Sequence, residues 1–125
     1  MHGTLETRRP VRLGAGIGLR LPHLAEVAAA DPAGPDWPDG LWFEVHAENF
    51  MVDGGPRLAA LLAVAQRHPI ALHGVGLSLA GTRMAPRAHV QRLRRLCDLI
   101  APALLSDHLA WQLADHAGGR WHVPD

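Results

Sequence analysis

Four short apolar runs in this 125-residue chain each lead to side chains that can bind a metal ion. Each of these clusters contains at least one imidazole or carboxylate group. The clusters are His23, Phe43–Asn49, His73–Gly74 and Ser106–His108. Imidazole suits iron, zinc and copper, and carboxylate oxygen suits harder ions. Catalytic groups of a β/α barrel sit where its parallel strands end. Four successive endings of this kind therefore predict side chains that converge on one ion or cluster.

His73 is the first candidate for a metal ligand. It ends an apolar run and is followed by Gly74 and Gly76, which allow backbone to approach a bound group closely. The alternative interpretation is a histidine of the barrel core whose ring nitrogens are hydrogen-bonded.

The second run carries three polar side chains at alternate positions. A strand would place Glu44, His46 and Glu48 on one face, where they are costly to bury unless they are paired or bind metal. We expect His46 to be a ligand and Glu48 to bind metal or to orient His46. Glu44 lies deeper and is expected to pair with Arg20. Asn49 is expected to hold the loop or to contact substrate.

The first and fourth runs supply the remaining candidates. A carboxylate at Asp107 could bridge two metal ions, and the alternatives are a helix N-cap or a salt bridge. His108 is expected to point the opposite way and to support a ligand from behind. Trp111 is expected to line one side of the cleft. His23 could bind metal, contact substrate or cap the helix that follows it.

Other residues suggest no chemistry. The remaining histidines lack supporting neighbours and are expected at the surface; they are His2, His68, His89, His116 and His122. Cys97 is the only cysteine, so no intrachain disulfide forms, and its apolar helical surroundings indicate a core position. Dinucleotide, P-loop, nucleophile-elbow and HExxH motifs are absent from the sequence.

The elements that must position these groups alternate between strand and helix patterns. The predicted strands are 14–19, 41–46, 70–73 and 103–106, and the predicted helices cover 24–30 and begin at Pro56 and Pro86. Strand starts roughly 30 residues apart predict βαβ units and a parallel sheet. A complete (β/α)8 or TIM barrel needs about 250 residues. We therefore expect an α/β half barrel of about four β/α units over 14–125, preceded by a flexible lead-in over 1–13.

Composition limits the classes of partner. Twelve arginines balance twelve acidic residues and no lysine is present, so the basic stripe expected of a nucleic-acid binder is missing. The arginine-rich stretch 87–95 is interpreted as the solvated face of a helix. No apolar run is long enough to cross a bilayer, and a cytoplasmic protein without membrane contact is expected.

The sequence at the four strand ends resembles the DUF692 family, also called UPF0276. The resembling segments are Gly16–His23, Phe43–Asn49, Leu72–Ser78 and Ser106–Trp111, and the turn Gly54–Pro56 also fits. The resemblance runs from about Gly14 to Trp111. This family includes multinuclear non-haem iron oxidases related to the catalytic subunit of methanobactin biosynthesis.

The resemblance implies a TIM barrel with two or three iron ions near its C-terminal face. It implies oxidation, by molecular oxygen, of cysteine residues in ribosomally made precursor peptides, with a small peptide-recognition partner protein. Family members are about twice as long as this chain, so it would be their N-terminal half. The other half would supply further His, Asp and Glu ligands, and this part alone is expected to be inactive.

Two other functions remain open at this point. The chain could be a non-catalytic remnant or an interaction module that pairs with another half barrel, since an open sheet leaves two edges and is expected to self-associate. It could also be a metal-dependent barrel enzyme similar to xylose isomerase or to an endonuclease of that type.

Overall fold

A four-stranded parallel sheet, in the order β1-β2-β3-β4, forms the centre of the computed structural model. The structure describes residues 12–31, 37–111, 113–116 and 119–122, the last two segments by their backbone alone. The strands are β1 (Gly16–Gly18), β2 (Trp42–His46), β3 (Ile70–Gly74) and β4 (Leu104–Asp107). The helices α1 (Leu21–Ala29), α2 (Pro56–Ala65) and α3 (Arg87–Ile100) connect them, and a short 3-10 helix, Ala47–Phe50, follows β2.

Each strand pairs in parallel with the next strand along the chain. Since βαβ crossovers are right-handed, all three helices lie on one side of the sheet. We call this side the helix face and the other the open face. The expected α/β fold is confirmed, with four parallel strands connected by three helices.

The hydrophobic core lies between the helix face and the helices. Phe43 and Val45 of β2 and Leu72 of β3 alternate with residues of the open face and are buried. Helix residues buried against them include Leu58, Leu61 and Val64 of α2 and Leu93, Leu96 and Ile100 of α3. Each such side chain contributes about 1.5 to 3 kcal/mol by leaving water. Packing in this core fixes the positions of the residues at which β2 and β3 end.

Two helix starts show how proline is used. Helix α2 begins at Pro56, as predicted. Helix α1 begins at Leu21, earlier than the predicted residue 24, because Pro22 lies in its first turn instead of closing β1. A proline there lacks only an N–H that has no partner within the helix. Strand β1 is correspondingly shorter than predicted.

The buried face of α3 differs from the predicted one. The sequence pattern suggested Val90, Leu93, Cys97 and Ile100 as the apolar side. Leu93 and Ile100 are buried as predicted, but the third buried residue is Leu96, while Val90 is 43% exposed and Cys97 is half-buried. The helix is therefore rotated about its axis relative to the prediction, which turns His89 inward.

Arg67, just beyond α2, joins α2 to the end of α1. Its guanidinium donates hydrogen bonds to the carbonyl oxygens of Ala30 at 2.7 Å, Ala28 at 2.7 Å and Val27 at 3.2 Å. The last carbonyl groups of a helix have no partner within it. One partly buried side chain thus bonds to three carbonyl groups at the end of α1, of which that of Val27 also accepts the N–H of Ala30 at 3.3 Å, and holds α1 against α2.

Two strands beyond β4 were not predicted. They are β5 (Leu113–His116) and β6 (Gly119–His122), which pair as an antiparallel two-stranded sheet. Each of these two strands has only four residues. Most of the predicted lead-in lies outside the described residues. No helix in the described part is long and apolar enough to cross a membrane.

Candidate metal centre at the strand ends

Polar side chains form a row across the open face where β2, β3 and β4 end. His46 is the register partner of His73, and His73 is the register partner of Ser106. The Nδ1 atom of His73 lies 2.8 Å from the hydroxyl oxygen of Ser106. This hydrogen bond leaves the Nε2 atom of His73 without a partner among the described contacts. Ser106 was missed by the sequence analysis as a partner of His73.

His108 packs against His73, although it was expected to face the other way. The two rings meet edge to face, with their centroids 4.8 Å apart. His108 comes just after the last residue of β4, where strand alternation no longer fixes direction. Its backbone N–H donates to the carbonyl oxygen of Gly74 at 3.0 Å. The ring therefore limits the movement of the His73 imidazole.

Glu48 lies in the 3-10 helix and connects β2 to the loop after β3. Its Oε1 atom accepts hydrogen bonds from the backbone N–H groups of Val75 and Gly76, both at 3.0 Å. Its Oε2 atom lies 3.4 Å from Nε2 of His46. Glu48 and His46 are therefore in close contact, and a role for Glu48 in binding metal or orienting His46 stays a prediction.

His89, in the first turn of α3, also faces Glu48. Its Nε2 atom lies 3.6 Å from Oε1 of Glu48, and its side chain is only 15% exposed. The prediction that His89 is a surface residue is therefore wrong. A helix that follows a barrel strand begins at the same end of the sheet where that strand stops. The position of His89 in the first turn of α3 could therefore have predicted its place near the strand ends. It was missed because the predicted apolar side of α3 did not place His89 inward.

Asp107 completes the cluster at the end of β4. Its Oδ1 atom accepts a hydrogen bond of 3.4 Å from the N–H of Leu77. Burial raises the pKa of its carboxyl above the ordinary value; the Leu77 bond opposes this shift, the Glu48 charge adds to it, and His73 and His89 oppose it. The carboxyl group is therefore close enough to those three side chains to sense their charges.

The two glycines after His73 make room for these side chains. A Cβ on Gly74 would collide with the carboxylate of Asp107 and lie 3.4 Å from Oε1 of Glu48. A Cβ on Gly76 would collide with the His89 ring, at 2.6 Å from its Nε2 atom. The sequence predicted that the backbone at these two glycines approaches a bound group. In the structure, the groups that lie against this backbone are side chains of the candidate site itself.

Three buried polar atoms of the cluster make no hydrogen bond to the described residues. They are Oε2 of Glu48, Nε2 of His89 and Oδ2 of Asp107. Such atoms are costly to bury and call for an explanation. Within the described ranges, no three His, Cys, Asp or Glu side chains already stand around one point as metal ligands. The contacts are pairwise, but imidazole nitrogens and carboxylate oxygens with unused lone pairs are a donor set that suits iron.

A cleft of about 370 Å³ opens beside the row on the open face. Its polar lining comes from Arg20, Glu44, Asn49, His46 and His73. Arg20 and Glu44 were expected to pair, but no ion pair within 4 Å joins them in the described part of the chain. The cleft therefore presents one cation and one anion beside two candidate ligands.

The other candidates lie apart from this cluster. His23 is on the exposed surface of α1, and its Nδ1 atom is 3.8 Å from the carboxylate of Glu26. Trp111 is 65% exposed. Their roles in metal binding and in lining the cleft stay predictions. His68 is also not the surface residue that was expected, because its half-buried ring packs against Trp37 and Phe43.

These features define a β/α protein of the barrel type with imidazole and carboxylate groups at the C-terminal ends of its strands. The chain belongs to the family described as "RiPP precursor modification enzyme MbnB/TglH/ChrH", whose model matches residues 14–122. The resemblance found in the strand-end motifs is thereby confirmed. The family description implies a precursor peptide as substrate and names no metal.

Related proteins carry the name UPF0276 protein. The one from Caulobacter vibrioides strain NA1000 is 50% identical over 111 residues, which cover 89% of this chain and 36% of the relative. The one from Chromobacterium violaceum is 46% identical over 101 residues, covering 81% of this chain and 34% of the relative. The chain thus spans about a third of the length of the curated relatives it matches.

Proposed function

We propose that this chain forms part of the iron-binding site of an oxidase that modifies cysteine residues in a ribosomally made precursor peptide. The observation that carries the proposal is a pair of buried carboxylate oxygens that make no hydrogen bond to the described residues, Oε2 of Glu48 and Oδ2 of Asp107, beside His46 and His73 at the strand ends. Family membership supplies the precursor peptide as the class of substrate.

His46 and His73 would be the imidazole ligands, and Asp107 and Glu48 the carboxylate ligands. Two or three iron ions would need further ligands beyond these four. Iron, when bound, supplies the electron-transfer chemistry by which oxygen accepts electrons from a cysteine sulfur. Ser106, through its hydrogen bond, would orient the ring of His73, and Glu48, in contact with His46, would orient that second ring, as outer partners of metal ligands do.

The cleft beside the ligands is suited to a peptide segment next to the cysteine. A volume of about 370 Å³ is at the lower end of the range for small-molecule sites. Arg20 would attract a carboxylate and Glu44 a basic group, while Asn49 offers an amide that can bond to peptide backbone. A small partner protein that delivers the peptide belongs to the same proposal.

The test uses the protein expressed from its complete gene. It would be loaded with ferrous iron without oxygen, mixed with a short Cys-containing precursor peptide, and exposed to air. We expect a mass change on the cysteine peptide, none on its Cys→Ser version, and none with His73→Ala. The same mass change with His73→Ala, or no change with the unaltered protein, would overturn the proposal.

A second candidate function rests on the edges of the sheet. Leu104 and Leu105 of β4 are 48% and 53% exposed, and Ile17 of β1 is 57% exposed. Apolar edge strands favour pairing with another copy or another half barrel. Light scattering after gel filtration of the chain separates the alternatives. A concentration-dependent dimer supports the interaction module, and a monomer that melts cooperatively contradicts it.

A further inference from the structure

We infer that His89 is a positioning residue, which holds the Glu48 carboxylate in the orientation that faces His46. The inference rests on the proposed metal site, because it assigns a role within that site to a residue outside the candidate ligand set. It is carried by the geometry of α3, Glu48 and the loop after β3.

The ring of His89 is held in a fixed position by the helix and by the loop after β3. His89 lies in the first turn of α3, and Leu93, four residues further along the same face, is buried in the core. The ring also lies directly against the backbone of Gly76, where no Cβ would fit. Helix and loop together leave the imidazole little freedom, so it can act as a rigid support.

The ring of His89 faces the carboxylate of Glu48. Its buried Nε2 atom has no hydrogen-bond partner in the described part of the chain, and the Glu48 Oε1 atom lies 3.6 Å away. That separation exceeds a hydrogen bond, so the attraction is electrostatic and is strengthened by burial. The N–H groups of Val75 and Gly76 bond to the same oxygen. Three N–H groups thus surround Oε1 when Nε2 of His89 carries a proton.

The carboxylate of Glu48 is planar, so its two oxygens move together. If Oε1 is held from three sides, the direction of Oε2 is set as well. Oε2 lies 3.4 Å from Nε2 of His46. His89 therefore acts on His46 through Glu48, in the manner of the outer partners that orient metal-binding groups.

The test compares two substitutions of one residue. His89→Gln keeps an N–H group close to the position of Nε2, whereas His89→Leu fills a similar space without one. His68→Gln serves as the matched control, since His68 precedes β3 at the opposite end of the sheet from the cluster. Cobaltous ion is the probe, because its visible spectrum reports ligand geometry. We expect His89→Leu to weaken cobalt binding by about 10-fold or more and to alter the spectrum, while His89→Gln stays within about 3-fold of the unaltered protein.

A readout without metal separates this inference from the proposed function. Amide exchange of Val75 and Gly76, followed by NMR, should accelerate about 10-fold in His89→Leu and remain slow in His89→Gln. If cobalt does not bind but this pattern appears, the metal proposal fails and the positioning role stands. If both substitutions leave the amides and cobalt binding unchanged, or if both alter them equally, the positioning role of the His89 N–H is overturned.

Discussion

The Nδ1 atom of His73 and the hydroxyl oxygen of Ser106 lie 2.8 Å apart, across a register pair that joins β3 to β4. For Nε2 of His73 to bind metal, Nδ1 must carry the ring proton and donate a hydrogen bond to this hydroxyl oxygen. Ser106→Ala should therefore weaken metal binding by about 10- to 100-fold, as expected for a lost outer partner. Calorimetric titration with cobaltous ion measures the change.

Ser106→Thr is the control for this change. Threonine keeps the hydroxyl and suits a strand, so binding should stay close to that of the unaltered protein. If alanine and threonine weakened metal binding equally, the hydroxyl group of Ser106 would not be the cause of the loss.

Gly76→Ala should destabilise the fold by about 1 to 3 kcal/mol, because its Cβ would collide with the buried His89 ring. Urea unfolding measures the free energy. Gly54→Ala is the matched control, since a Cβ there meets nothing within 4 Å. In the double variant Gly76→Ala/His89→Ala the collision is removed, so the two effects should not add. Simple additivity would contradict the contact.

Arg67→Met should lower the free energy of unfolding by about 2 to 3 kcal/mol, because carbonyl groups at the end of α1 lose a charged donor. Thermal and urea unfolding of the chain measure this loss. Arg94→Met removes an arginine whose pair with Asp98 is largely exposed, and it should change stability by less than about 0.5 kcal/mol. Similar losses in both variants would refute the special role of Arg67.

The stability of the chain should depend on pH through His68. Burial, with a smaller contribution from the Arg67 charge, lowers the pKa of His68, and a hydrogen bond to the Leu41 backbone opposes this. The unfolded chain therefore binds the proton more readily than the folded chain does. The His68 contribution is present above the unfolded pKa of 6.5 and is lost as the pH falls below it, through the lowered folded value.

His68→Gln isolates this contribution, since glutamine keeps a donor but does not titrate. Melting temperatures between about pH 7.5 and 5 should fall more steeply for the unaltered chain than for His68→Gln. Parallel slopes would mean that His68 does not contribute to the pH dependence.

Much of the fold could be predicted because β2 and β3 carry strong local signals. Phe43 and Val45 alternate with Glu44 and His46, and Pro56 marks the start of a helix. The antiparallel pair of β5 and β6 was missed because strands of four residues carry too little sequence pattern to be recognised. Element ends shifted where proline could serve either as a breaker or as a first-turn residue, as at Pro22.

The candidate site was predicted less completely, for a different physical reason. His46 and His73 end strands, so topology alone makes them neighbours. His89 reaches the site from a helix, and its direction depends on a rotation of α3 that tertiary packing decides. Glu48 bonds to the loop at Gly76, a contact between residues far apart in sequence that no local pattern encodes.

Calorimetric titration with ferrous ion in the absence of oxygen measures whether the ends of β2 and β3 bind iron. We expect saturable binding by the protein, weakened by more than about 100-fold in both His46→Ala and His73→Ala, which is a larger loss than removal of an outer partner causes. His68→Gln should bind normally. Absence of saturable binding, or equal binding by all four proteins, would contradict an iron site at the ends of β2 and β3.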